Sequence, residues 1–217
     1  LITMASSSSA AIIYQESFEG GVLQPQTTLI GTGSTAANTF FAVLPSTGLS
    51  LGYAPTGVDG TSFVGGRNLD DVAQSTAVDI AGVDISGYTD VQLTVSLSAR
   101  ESNAVGLPFE REDFIAIIAD GSTRDLFHGP EFGSGLLSNG SVDLVTAFQD
   151  LTYDIADGNL LGVSIAAFTN GVGESIAIDN IRIEGNAVSV PEPSGIALLG
   201  LGLAALGYRR RRTHAGR

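Results

Sequence analysis

Residues 91–99 read VQLTVSLSA, with apolar side chains at every odd position and Gln92, Thr94, Ser96 and Ser98 between them. A repeat of two cannot lay an apolar stripe along a helix. It fits a strand with one face in a core and one toward water, and therefore an antiparallel sheet. Shorter runs of similar character lie at 12–18, 39–43, 77–80, 114–119, 151–155, 161–168 and 175–184. Turn-formers punctuate them: Gly48, Pro55-Thr56-Gly57, Asp59-Gly60, Gly65-Gly66, Ser86-Gly87, Asp120-Gly121, Asn139-Gly140, Asp157-Gly158 and Asn170-Gly171. No stretch before Pro191 carries a long helical stripe. The pattern predicts an all-β fold, an antiparallel β-sandwich of jelly-roll type, spanning residues 12–188 as one domain.

Charge narrows the partners. Residues 1–190 hold 22 of the 23 acids but only five of the ten basic residues, and every basic residue is arginine. A body this acidic repels phosphate backbones, which excludes nucleic acid as a partner, and attracts divalent cations. The chain has no cysteine, so disulfides, thiolate metal sites and cysteine nucleophiles are excluded together.

The two ends differ from the body. The first residues, LITMASSSSAA, read as the end of a secretion signal, residues 1–11, whose basic and apolar parts are expected upstream. Ser8-Ser9-Ala10 or Ser9-Ala10-Ala11 suits the small-x-small rule of a signal peptidase site. Residues 195–208 carry no charge, and Arg209, Arg210, Arg211 and Arg212 follow directly. As a helix the run would rise about 21 Å, short of a hydrocarbon core of about 30 Å. Its position beside the arginines, with Pro191 and Pro193 setting it off from the domain, favours a short hydrophobic membrane helix whose basic end stays in the cytoplasm. The body is then expected on the far side of the inner membrane.

Pro191-Glu192-Pro193, the Gly/Leu-rich run and the arginine cluster together resemble the PEP-CTERM sorting signal of Gram-negative bacteria that make exopolysaccharide. The resemblance covers the tail, 189–217. It implies an exosortase-type processing enzyme as partner, a transient stay in the inner membrane, cleavage near Pro191, Glu192 and Pro193, and release to the cell surface or extracellular matrix. The expected function is a non-catalytic surface or matrix protein associated with exopolysaccharide. The alternative is a calcium-stabilised carbohydrate-binding module, or a glycoside hydrolase.

Within the body, YQESFEGG (14–21) resembles the first strand of jelly-roll sugar-binding modules, and IAIDNIRIEG (176–185) resembles their last. The segments DGTSFVGGRNLDD (59–71) and EDFIAIIADG (112–121) are similar to a related sandwich in exported bacterial proteins. The sugar-binding modules hold a structural Ca²⁺ between first and last strands. That resemblance implies Glu19 and Asp179 as calcium ligands, with Glu16 a weaker candidate. Parity raises the same question, because Ile176 and Ile178 oppose Ile181 and Ile183. Either a bulge at Asp179-Asn180 re-phases the strand, or Asp179 lies at the core boundary and needs a cation or loop N–H donors. Asp59, Asp70 and Asp71 form a second acidic group, equally readable as solvated turns.

Catalysis finds little material. His128 is the one body histidine, and no Gly-x-Ser-x-Gly elbow accompanies it. A glycosidase needs two carboxylates, for which Glu110, Glu112 and Asp113, with Glu131 behind them, are the candidates; a salt-bridged loop around Arg111 explains them as well. Sugar stacking lacks tryptophan. Among Tyr14, Tyr88, Tyr153, Phe63 and Phe132 and the rest, only Tyr53 and Phe109, both beside proline, are predicted to present a ring to a ligand.

Overall fold

Eleven strands form among the residues that the computed structural model describes: 10–31, 39–47, 51–71, 75–101, 109–131, 135–171 and 173–188. They are β1 (Ala11–Glu16), β2 (Thr27–Ile30), β3 (Phe40–Pro45), β4 (Ser62–Arg67), β5 (Thr76–Asp84), β6 (Tyr88–Glu101), β7 (Phe114–Ala119), β8 (Ser122–His128), β9 (Gln149–Asp154), β10 (Leu160–Phe168) and β11 (Glu174–Ala187). One sheet runs β3-β4-β11-β6-β9, with β1 also on β11; the other runs β2-β5-β10-β7-β8. Every pairing of named strands is antiparallel. The central eight strands give β4-β11-β6-β9 in one sheet and β5-β10-β7-β8 in the other. Chain order thus crosses repeatedly between layers, which is the jelly-roll winding.

The odd residues of 91–99 do fill the core: Val91, Leu93, Val95, Leu97 and Ala99 are buried with Val78, Ile80, Ile115, Ile117, Val163 and Ile165 from the opposite sheet. The even positions depart from expectation. Thr94, Ser96 and Ser98 are buried too, and residues 51–58 fold over the outer face at Ser98, which meets the Tyr53 hydroxyl. There Leu51, Tyr53, Phe63 and Ala177 form a second small core with Phe148 edge-on to Phe63 at 5.9 Å. The buried polar strand residues are satisfied in pairs, such as Thr94 with Thr152 and Ser98 with Tyr53.

Gly65-Gly66 is a strand centre, not a turn. Both glycines lie within β4, where a Cβ on Gly65 would stand 2.4 Å from Leu44 Cδ1 and one on Gly66 would stand 3.0 Å from Phe41 Cδ2. Glycine is needed because side chains of both cores close over the backbone.

The question of parity in β11 resolves as a bulge. The pairing with β6 slips between Asp179 and Arg182, and Asn180 takes the left-handed φ of 41°. Ile176, Ile178, Ile181 and Ile183 therefore all enter the one main core. The same bulge is where β11 exchanges neighbours, from β4 (Ser175–Ile178) to β1 (Ile181–Gly185).

The chain divides into two units, Leu1–Ala187 and Val188–Arg217. Residues 1–9, the hydrophobic run 195–208, Pro191-Glu192-Pro193, Arg209–Arg212 and Phe132 lie outside the described residues. Among the described residues no helix is long and apolar enough to cross a membrane.

Candidate functional sites

The first site lies at the β11 bulge. Bulging aims Asp179 away from the isoleucine core, yet the side chain keeps no exposed surface. Its Oδ2 accepts the Asp59 N–H at 2.8 Å and its Oδ1 the Asn180 N–H at 2.8 Å. Two residues along the same turn, Glu19 Oε1 accepts from the N–H groups of Thr61 (2.7 Å) and Ser62 (3.1 Å), and Oε2 accepts the Thr61 hydroxyl at 2.7 Å. Gly60 is required between them. It has φ +85°, and a Cβ would stand 2.3 Å from Glu19 Oε1. Three segments distant in sequence, 14–21, 59–62 and 176–180, thus meet at one corner. Burial pushes the Asp179 carboxyl up to about 7, the charges of Asp59 and Glu19 adding to it against the two N–H bonds. The Thr61 bonds hold exposed Glu19 below its ordinary value.

Glu16 has a different task. Buried at the end of β1, it accepts the N–H of Phe18 on Oε1 (2.9 Å) and of Gln24 on Oε2 (2.7 Å), tying the turn that follows. Asp59 and Asp70 do not share a site, since the whole of β4 separates them and the Asp70 N–H goes to the Thr169 carbonyl. All the carboxylate oxygens of Glu19 and Asp179 already have N–H or O–H donors. A cation there would join a hydrogen-bonded corner, and among the described residues no three His, Asp or Glu side chains converge as a ligand set.

Both expected ring platforms are corrected by burial. Tyr53 is 5% exposed, its hydroxyl bonded to Ser98 Oγ at 2.9 Å and its ring under the Arg100 guanidinium at 5.9 Å. Phe109 is wholly buried in the main core. A ring without an exposed face cannot stack on a sugar. Proline neighbours mark loops, but these loops fold inward.

A surface groove of about 350 Å³ opens instead at the β7–β8 edge, lined by Arg111, Phe114, Leu126, His128 and Glu131. Phe114 also stacks on its cross-strand neighbour Phe168 of β10, outside the groove's lining, with centroids 6.2 Å apart and planes 21° apart. Leu126 is 45% exposed. The His128 Nδ1–H donates to the Gly129 carbonyl at 2.7 Å, since that partner can only accept. Arg111 and Glu131 form an exposed pair at 3.9 Å. Sequence pattern treated Phe114 and Phe168 as strand residues; only register reveals that they pair.

The glycosidase candidates scatter. Glu131 is the single carboxylate lining the groove, Glu112 is exposed on the preceding turn, and Asp113 has no exposed surface. Asp113 accepts the N–H groups of Glu110 (2.6 Å) and Asn170 (2.9 Å) and lies against the equally buried Glu174, a residue that sequence reading passed over. Of the four candidate acids only Glu131 lines this groove, so they do not flank it as the pair that glycoside hydrolysis needs.

Comparison with known proteins separates tail from body. No curated protein matches the chain. Among solved structures, a Stig cyclase from Fischerella sp. TAU, in complex with (3Z)-3-(1-methyl-2-pyrrolidinylidene)-3H-indole, is similar with a TM-score of 0.52 at 13% identity, covering 83% of this chain and 100% of its own. At that identity the likeness is one of fold. A cleaved adhesin domain of Lys-gingipain from Porphyromonas gingivalis reaches 0.47 at 14% identity (82% and 99% covered). CBM35 from Paenibacillus barcinonensis reaches 0.38 at 13% (81% and 97%). Residues 189–212 match the PEP-CTERM protein-sorting motif. The chain thus carries a PEP-CTERM sorting motif behind a jelly-roll β-sandwich, a signal that implies export through a membrane-anchored precursor and sorting by an exosortase.

Proposed function

We propose that this is a non-catalytic surface or matrix protein that associates with the exopolysaccharide of its host after the tail is removed near Pro191-Glu192-Pro193. The observation that carries the reading is the sorting motif at 189–212 behind an acidic jelly-roll sandwich. Sugar contact is assigned to the β7–β8 groove. Phe114, stacked on Phe168, and the exposed Leu126 give apolar surface, and His128, Arg111 and Glu131 offer hydrogen-bonding groups around it. Affinity electrophoresis of the chain in gels containing the host's exopolysaccharide tests this. Retardation that Phe168→Ala and His128→Ala weaken at least several-fold supports it. Unretarded migration, or release of reducing sugar abolished by Glu131→Gln, refutes it.

A second reading, calcium at Glu19 and Asp179, is favoured by the buried Asp179 carboxyl, on which the charges of Asp59 and Glu19 act and which a cation would offset. Glu19 and Asp179 would supply the oxygens. The ion would neutralise the corner and fasten the β1 turn to β11. Its test is a crystal grown in Ca²⁺, in which density between the Glu19 and Asp179 carboxylates supports the reading and its absence there refutes it.

A further inference from the structure

We propose a separate cation site at the buried Asp113–Glu174 pair, taking a hard divalent ion of the Ca²⁺ class and fastening the turn before β7 to the β10–β11 connection. It does not depend on the reading above.

Glu174 opens β11 and Asp113 ends the turn that leads into β7; neither has exposed surface. The Asn170 N–H is shared, at 2.9 Å from Asp113 Oδ1 and 2.9 Å from Glu174 Oε2. The Gly171 N–H also reaches Oε2. That leaves Glu174 Oε1, which is buried and has no hydrogen-bond partner. Space has been kept for this carboxyl: a Cβ on Gly171 would stand 2.7 Å from Oε1.

The two carboxyls lie within hydrogen-bonding reach of each other, a contact that needs a positive charge between them. A proton or a metal ion can supply it. One proton still leaves a buried negative charge, and the neighbourhood adds to it. Glu110 acts on Asp113, while the Glu112 carboxylate approaches Asn170 Nδ2 at 3.4 Å. The nearest base in the turn, Arg111, pairs outward with Glu131. A divalent ion neutralises both buried acids at once. Ca²⁺ takes six to eight oxygens. Asp113 and Glu174 would supply the carboxylate oxygens, Glu174 Oε1 first, and no third acid converges among the described residues.

The full chain, stripped with EDTA and dialysed, is melted with and without millimolar Ca²⁺ at pH 7. Wild type gains several degrees with Ca²⁺. Glu174→Gln, which keeps the Oε2 acceptor and presents an amide to Asp113, melts no lower than wild type in EDTA yet loses that gain. Asp179→Asn keeps it, separating this site from the bulge corner. A crystal structure grown in Ca²⁺ shows density within about 2.3–2.6 Å of Glu174 Oε1 whether or not the variants fold. The proposal is overturned if Glu174→Gln retains the whole Ca²⁺ response. It is equally overturned if the crystal holds nothing there and the pair proves to share only a proton.

Discussion

The buried carboxyl of Asp179 sets competing effects against each other, and pH separates them. Its two oxygens accept two backbone N–H groups, which favours the charged form, while burial and the charges of Asp59 and Glu19 favour the neutral one. The balance places the folded carboxyl near 7 against an ordinary 3.8. At about 1.4 kcal/mol per tenfold change in proton affinity, the rise amounts to at most about 4 kcal/mol. The sign follows from linkage. Between the two values the folded chain holds a proton that the unfolded chain has released, so this residue's contribution to stability falls as pH rises from about 4 to about 7 and then levels off. Asp179→Asn removes the titration but leaves one N–H facing an amide, at a pH-independent cost of about 1–3 kcal/mol. Chemical unfolding of both chains in EDTA at pH 4.5, 6 and 8 therefore yields a gap that favours wild type in acid and shrinks by up to about 3 kcal/mol toward pH 8. A gap that stays constant, or widens with pH, refutes the reasoning, because it would mean that the N–H groups outweigh burial.

Gly60→Ala strains a residue at φ +85° and forces Glu19 off Thr61 and Ser62; the strain alone lowers stability by about 1–2 kcal/mol, read as a drop in Tm. Tyr53→Phe deletes the hydroxyl bonded to Ser98 and costs about 1 kcal/mol, with no change in migration through polysaccharide gels, since the ring meets no solvent. Leu97→Ala, in the middle of β6, opens a cavity between the sheets and costs about 3 kcal/mol in urea unfolding.

Local pattern carried as far as each strand's own faces. The period of two made β6 visible, and Phe114–Ala119 coincides with β7 because an isoleucine-rich run ends at the turn-forming pair Asp120-Gly121. The parity break in 175–184 offered a bulge at Asp179-Asn180 as one of two readings, and the register slip there selects it. Three strands lacked such marks. β4 is centred on two glycines, β8 (STRDLFH) reads as polar because it is an edge strand, and β2 is four residues long. What lay out of reach was non-local. The fold of residues 51–58 over β6 turned Tyr53 from a ligand platform into a buried ring. Likewise, only the pairing of β7 with β10 sets Phe114 on Phe168 and only the loop closure sets Asp113 on Glu174. Glu19 and Asp179 were found by resemblance, and they do meet, but through the Asp59–Ser62 turn that clasps both.

The account turns on export and sorting by the tail, and intact-mass spectrometry of fractionated cells measures that directly. Cells expressing the tagged chain should yield a species outside the inner membrane whose mass ends near Pro191-Glu192-Pro193. The triple substitution Pro191→Ala, Glu192→Ala, Pro193→Ala should leave a full-length chain in the membrane fraction. Uncut chain accumulating in the cytosol, with the substitutions making no difference, would contradict it.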